Sequence, residues 1–343
     1  MRLLLVKISS MGDLLHCLPA VSDFRRAHPD AHLTWLCEPA YADIPRWHPG
    51  VDRVVEIPLR QWRRTPWESL RHGAPSRFLQ ALRQEPFDCI VDAQGLLKSA
   101  LLARLARGIN RWGPDESWVR ERLALPFYRH RVACRAEDHV VLRLRRLLAG
   151  AGDYALPATP PVFGLDANRL PEAPLPVDQP FVMLLHGTAW SSKLWPEPFW
   201  GELARRCTVE GWRVLLPRGN AEEEARAHRL REAAGTGAVV LPPLSVGQLA
   251  ALMVRAVGVV GLDSGLAHLA TCLSVPAVTL FGATNPAYSG LPGNRQIHLQ
   301  SSLDCAPCML RRCPLPVSGP LHPPCFRSVS PDQVLRALKG VCR

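Results

Sequence analysis

The 343-residue chain reads as an α/β protein with two doubly wound domains. Three observations carry that reading. Short apolar runs alternate with segments of helical periodicity through the first half. The alternation stops in a proline-crowded stretch, "LPATPPVFGLDANRLPEAPLPVDQP", from Leu156 to Pro180. It restarts at Phe181 and continues to the end. With 47% hydrophobic and 21% charged residues there is apolar material for two buried cores. Domains are therefore expected at 1–160 and 181–343, with 161–180 as a linker. Two similar domains joined in this way are expected to face each other across a ligand cleft.

In the first half, strands are expected at Leu3–Ile8, "HLTWLC" from His32, "RVVEI" from Arg53 and "DCIVDA" from Asp88. Each is a short run rich in aliphatic or β-branched residues between polar boundaries. A helix starts at Asp13, where Leu14, Leu15, Leu18, Val21 and Phe24 recur at roughly helical spacing. Others are expected near Ala42, around Phe78–Leu82 and from Leu96 to Leu105. The second half gives strands "FVMLLHG", "WRVLLP", "AVVLPP", "VGVVGL" and "PAVTLFG", separated by helices Pro198–Cys207, Ala221–Ala233, Val246–Ala256 and Ser264–Leu273. A last helix, Pro331–Lys339, has Ser330 as its cap and proline at its first position.

No run approaches the ~18 apolar residues of a membrane span, and "MRLLLVK" is too short for a secretory leader, so a cytoplasmic protein is expected. The net charge of +11 is mostly arginine, clustered in "RQWRR" (Arg60–Arg64), "RERLALPFYRHR" (Arg120–Arg131) and "RLRR" (Arg143–Arg146). Such clusters suit phosphates and carboxylates, which arginine holds bidentately.

Chemistry is expected where strands hand over to helices. Asp13 lies in the first turn of a helix just past a strand, either capping it or serving as a base at the mouth of an open sheet. In "GLDSGLAHLATCL" a strand delivers Asp263, Ser264 and Gly265 to a helix start fit for a phosphate, with His268 one turn on. In "HGTAWSSKLWP", Thr188 can donate to a phosphate and Lys193 can neutralise a departing one. The carboxylates Glu222, Glu223 and Glu224 open a further helix, where one can bind sugar hydroxyls. No Asp-x-Asp pair is present to hold a divalent ion on a nucleotide diphosphate.

"KISSMGDLLHCLPA", "DAQGLLKSALLARL", "HGTAWSSKLWP", "PRGNAEEEARA" and "GLDSGLAHLATCL" with "TLFGATNP" resemble, in order and spacing, the bacterial heptosyltransferases of glycosyltransferase family 9. The resemblance covers about Met1 to Pro286. It implies a GT-B fold of two Rossmann-like domains, the first binding the acceptor and the second the donor. It also implies an inverting enzyme of lipopolysaccharide inner-core synthesis, taking heptose from ADP-heptose to a Kdo residue of lipid A. Asp13 would be the general base and Lys193 would assist the leaving group. Thr188, Lys193, Glu223, Asp263, Ser264, Gly265 and His268 would form the donor site. Arg60, Arg63, Arg64 and Arg120 would meet the anionic acceptor. No cofactor would be required for catalysis, and the enzyme would work peripherally at the cytoplasmic face of the inner membrane, where Trp62 and Trp67 either enter the interface or pack into the core.

Near the C-terminus stands "CAPCMLRRCPLPVSGPLHPPC", with Cys305, Cys308, Cys313 and Cys325. Four cysteines at this spacing in a reduced compartment suggest a structural zinc or iron site, with His322 as the only added candidate ligand. This Cys-rich tail, 305–325, is similar to that of family members acting on inner-core heptose and of an iron-bearing group that heptosylates autotransporter proteins, so transfer to another acceptor is the alternative. A basic, Cys-rich protein binding nucleotide or nucleic acid is a further one. Nucleic acid is not the expected partner, because it gives no reason for Asp13, Lys193 and Asp263 to bracket one cleft.

Overall fold

Burial on both faces selects the strands. In the first unit β1 (Arg2–Val6), β2 (His32–Cys37), β3 (Arg53–Glu56), β4 (Cys89–Asp92), β5 (Arg111–Pro114) and β6 (His130–Val132) form one parallel sheet in the order β3-β2-β1-β4-β5-β6. Leu3, Leu4, Leu5 and Val6 are wholly buried, as a central strand covered by helices on both faces requires. The computed structural model describes residues 1–175, 178–316 and 319–342, and the chain divides into units Met1–Asp166 and Ala167–Arg343.

The second unit repeats the plan. Strands β7 (Phe181–Leu185), β8 (Arg213–Leu216), β9 (Ala238–Val240), β10 (Gly258–Leu262), β11 (Ala277–Phe281) and β12 (Gln296–Gln300) run in the order β12-β11-β10-β7-β8-β9, again all parallel. In each sheet the order reverses beside the first strand, between β1 and β4 and between β7 and β10. Loops leaving these neighbours diverge to opposite faces and open a crevice at the strands' carboxyl ends.

Strands β5, β6 and β12 were not expected. They read "RWGP", "HRV" and "QIHLQ" and lie at or beside a sheet edge, where partial exposure removes the need for an apolar run. The helix Val140–Gly152 was also missed. It packs along Met11–Ala27, and its "RLRR" stretch is not the surface patch that its charge suggested. Arg143 and Arg145 are each 6% exposed. Arg145 Nε donates to Asp23 Oδ2 at 2.6 Å, and its Nη2 donates to the carbonyls of Pro157 and Thr159. A stripe of Val141, Leu144, Leu147 and Leu148 supplies the apolar cover for the pair.

Among the described residues no helix is long and apolar enough to cross a membrane. Trp62 packs edge-on against Phe78 at 5.7 Å on the first unit's core, whereas Trp67 is 82% exposed.

Breaking the Arg145–Asp23 pair would strand a buried charge. Arg145→Ala is expected to lower the urea unfolding midpoint by an amount equivalent to about 3–5 kcal/mol. Loss of both charges in Arg145→Met with Asp23→Leu should recover much of this, measured by urea titration of the three proteins.

Candidate active site

Asp13 is the third residue of helix Met11–Ala27, one loop beyond β1, with Ser10 as the cap. Its Oδ2 accepts the Ser10 N–H at 2.9 Å, so the carboxylate does reach back to the helix start. Its Oδ1 accepts from Arg120 Nη2 at 2.6 Å. Burial on its own would raise the Asp13 pKa. The charge of Lys7, then the charge and hydrogen bond of Arg120 and the Ser10 N–H, outweigh it and hold the carboxyl well below the usual range. Asp13 is ionised and tethered.

The loop that carries it is held from β4. Gln94 Oε1 accepts the N–H groups of Ile8 and Ser9 at 3.1 and 3.3 Å, and the buried Lys7 donates to the Ala93 carbonyl at 2.7 Å. Asp92, wholly buried, accepts from the N–H groups of Gln94 and Gly95, from Ser99 Oγ and from Tyr128 Oη. Gly95 turns there with φ of 71°, and its carbonyl accepts the Glu121 N–H, fixing the segment that presents Arg120. Lys7, Asp92 and Gln94 had no role assigned from the sequence. The signal lay in the strand-end position of "DAQG".

The second unit gathers its expected residues at the ends of β7, β8 and β10. Asp263 follows β10 and is buried. Its Oδ2 accepts from Lys193 Nζ at 2.6 Å, and its Oδ1 lies 3.1 Å from His268 Nε2. Burial pushes this carboxyl up, and His268 followed by Lys193 pulls it far below its ordinary value. The Asp263 carbonyl accepts from Lys193 at 3.3 Å and from Thr188 Oγ1 at 3.4 Å. Ser264 caps helix Gly265–Cys272, and its buried Oγ has no partner among the described residues. Glu223 reaches the same rim. Its Oε2 accepts the Gly219 N–H at 2.8 Å, and a Cβ built on Gly187 would stand 2.4 Å from its Oε1, so a side chain at that position would require Glu223 to move. Glu222 turns instead to Arg226, and Glu224 to Arg218.

The four arginines are not one cluster. Among the described residues only Arg120 pairs with Asp13. Arg60, Arg63 and Arg64 lie on helix Leu59–Arg64, where Arg60 donates to Tyr41 Oη at 3.1 Å and Arg63 and Arg64 are exposed.

The structure gives no support to the structural metal expected at the four cysteines. Among the described residues no group of three or more His, Cys, Asp or Glu is placed to hold a metal ion. Cys305, Cys308, Cys313 and Cys325 instead line an apolar pocket of about 140 Å³ with Leu303, Leu310 and prolines. Cys325 is buried, and its thiol is pushed up to about 11 by that burial and then by the other three thiols. His322 completes no such group.

Each doubly wound sheet thus carries a candidate site at its strand ends, one with a tethered carboxylate and one with a lysine-bound aspartate at a helix start, where such folds bind ligands. A family model, "Glycosyltransferase family 9 (heptosyltransferase)", matches residues 76–318. The chain is 43% identical to lipopolysaccharide heptosyltransferase 1 of Pseudomonas aeruginosa, covering 99% of this chain and 98% of that protein. It is 39% identical to lipopolysaccharide heptosyltransferase 1 of Salmonella typhimurium, over 87% of this chain and 93% of that one. Among solved structures, E. coli heptosyltransferase WaaC with ADP superposes with a TM-score of 0.85 at 34% identity, over 99% of this chain and 100% of that one. The same enzyme with ADP-2-deoxy-2-fluoro heptose gives 0.80, covering 99% of both. The chain belongs to glycosyltransferase family 9 and has the GT-B fold.

Asp13 and Asp263 both have folded-state pKa values below the ~4 of an unfolded carboxylate. The stability that they contribute is complete above that pH and is lost as pH falls toward their depressed folded values. Urea midpoints measured from pH 6 to pH 2.5 should fall below about pH 4, and less steeply in Asp263→Asn than in the parent.

Proposed function

We propose that this protein transfers heptose from ADP-heptose to a Kdo residue of lipid A, with inversion at the anomeric carbon, as a lipopolysaccharide heptosyltransferase 1. The observation that carries the reading is the ionised Asp13 carboxylate at the β1/β4 reversal, tethered by a guanidinium suited to an acidic acceptor. The full-length likeness to heptosyltransferase 1 enzymes, and to WaaC with ADP and a donor analogue, supports the donor.

The units divide the work. The first, with the basic helix Leu59–Arg64 and Arg120, takes the acceptor; the second takes ADP-heptose. An acceptor carboxylate competes with Asp13 for Arg120, so the arriving substrate frees the base that it needs. Asp13 then takes the proton of the acceptor hydroxyl. So weak a base suits a late transfer: the hydroxyl oxygen becomes acidic only as it bonds to the anomeric carbon. The bond from that carbon to the diphosphate breaks with its electron pair on ADP. Lys193 meets the growing phosphate charge, the start of helix Gly265–Cys272 offers its N–H groups, and Ser264 and Thr188 offer hydroxyls. Asp263 acts through Lys193 and His268, which it orients. Glu223 is left to bind hydroxyls of the donor sugar. Exposed Trp67 beside Arg63, Arg64 and Arg71 supports peripheral contact with the anionic cytoplasmic face of the inner membrane.

The test is transfer from radiolabelled ADP-heptose to Kdo-lipid A. Asp13→Ala should cut turnover by a factor on the order of 10² to 10⁴ while ADP affinity stays within about twofold. Lys193→Ala should lose roughly tenfold in ADP affinity and more in single-turnover rate, because its charge matters most at the leaving group. Parent-like turnover in folded Asp13→Ala overturns the assignment of the base.

A further inference from the structure

The Cys-rich segment touches the loop that carries Lys193. Leu310 and Arg311, between Cys308 and Cys313, lie against the turn that carries Lys193. Ser192 Oγ donates to the Leu310 carbonyl at 2.5 Å, and the Arg311 carbonyl accepts from the Ser192 N–H at 3.3 Å and from Ser191 Oγ at 3.4 Å. These bonds tie 191–193 to a segment more than one hundred residues away in sequence. The thiol-lined pocket supplies the apolar backing, with Ser192 in its wall.

The side chains converge as well. Lys193 Nζ lies 4.6 Å from the ring centroid of Trp190, and the Arg311 guanidinium lies 5.5 Å from the same centroid. Two cations at one indole repel each other, and the ring face compensates each by only ~0.5–1 kcal/mol at an exposed site. Lys193 has Asp263 as its counterion. Among the described residues no carboxylate pairs with Arg311, which is exposed. An exposed guanidinium held beside a lysine that already has its carboxylate leaves a place for an anion of more than one charge.

We propose that the Cys-rich segment is a working part of the donor site: Arg311 is a second cation for the nucleotide diphosphate, steadied by Trp190, and the Leu310 and Arg311 carbonyls hold the Lys193 turn in place. The inference rests on the donor reading above and adds to it a residue and a role for 305–325. A guanidinium can bridge two phosphate oxygens, which the point charge of Lys193 cannot.

Calorimetric titration of the full chain with ADP and, separately, with adenosine tests it. Arg311→Ala should weaken ADP binding about five- to tenfold and leave adenosine within about twofold, whereas Arg311→Lys should recover part of the ADP loss. The melting temperature should hold, since the side chain is exposed. ADP affinity within twofold of the parent overturns the proposal. Equal weakening of ADP and adenosine also overturns it, because that is the signature of a disturbed loop. Parent protein that binds neither ligand removes the donor reading itself, a result distinct from either.

Discussion

A carboxylate that is taken out of water must find hydrogen-bond donors or cations, and in this molecule that requirement organises both candidate sites. Asp13 lies between Lys7 and Arg120, and Asp263 between Lys193 and His268. Each follows a central strand beside the reversal of strand order, where a parallel sheet opens a crevice. Once the carboxylate is there, the positions of its partners are set. Gln94 and Asp92 exist to hold the loops that hold Asp13 and Arg120. Glu223 lies in the space that a side chain at Gly187 would enter.

The two aspartates are bound differently, and the difference suits the roles proposed for them. Both oxygens of Asp263 are committed to neighbours that are themselves buried or half-buried, so it orients other groups. Asp13 is held on one side by an arginine that is 47% exposed at its side chain and can be drawn away by a competing anion. A base has to be released, whereas an organiser has to stay put.

Most of the fold was legible because its central strands are unbroken apolar runs and its helices carry regular stripes. The fold escaped where burial is partial: β5, β6 and β12 lack the apolar signal. It escaped again at Val140–Gly152, where arginines conceal a core helix whose buried Arg145 is neutralised by Asp23, more than one hundred residues away. The candidate site was legible where a residue lies in the turn or helix start that follows a strand, as Asp13, Lys193 and Asp263 do. It was not legible where a residue acts through a fold contact, as Gln94 does on Ser9, and as Arg311 does at Trp190. At the cysteines the sequence pattern and the structure point to different things. Their spacing suggested ligands, but spacing does not reveal that the chain wraps them around an apolar pocket.

The account stands on one reaction: a single displacement in which the acceptor oxygen replaces ADP at the anomeric carbon. Proton NMR of the product formed from ADP-heptose and Kdo-lipid A tests it most directly. One heptose added to Kdo, with anomeric configuration opposite to that of the donor, is the predicted result. Retention of configuration, or heptose found only as the free sugar or on another acceptor, would contradict it.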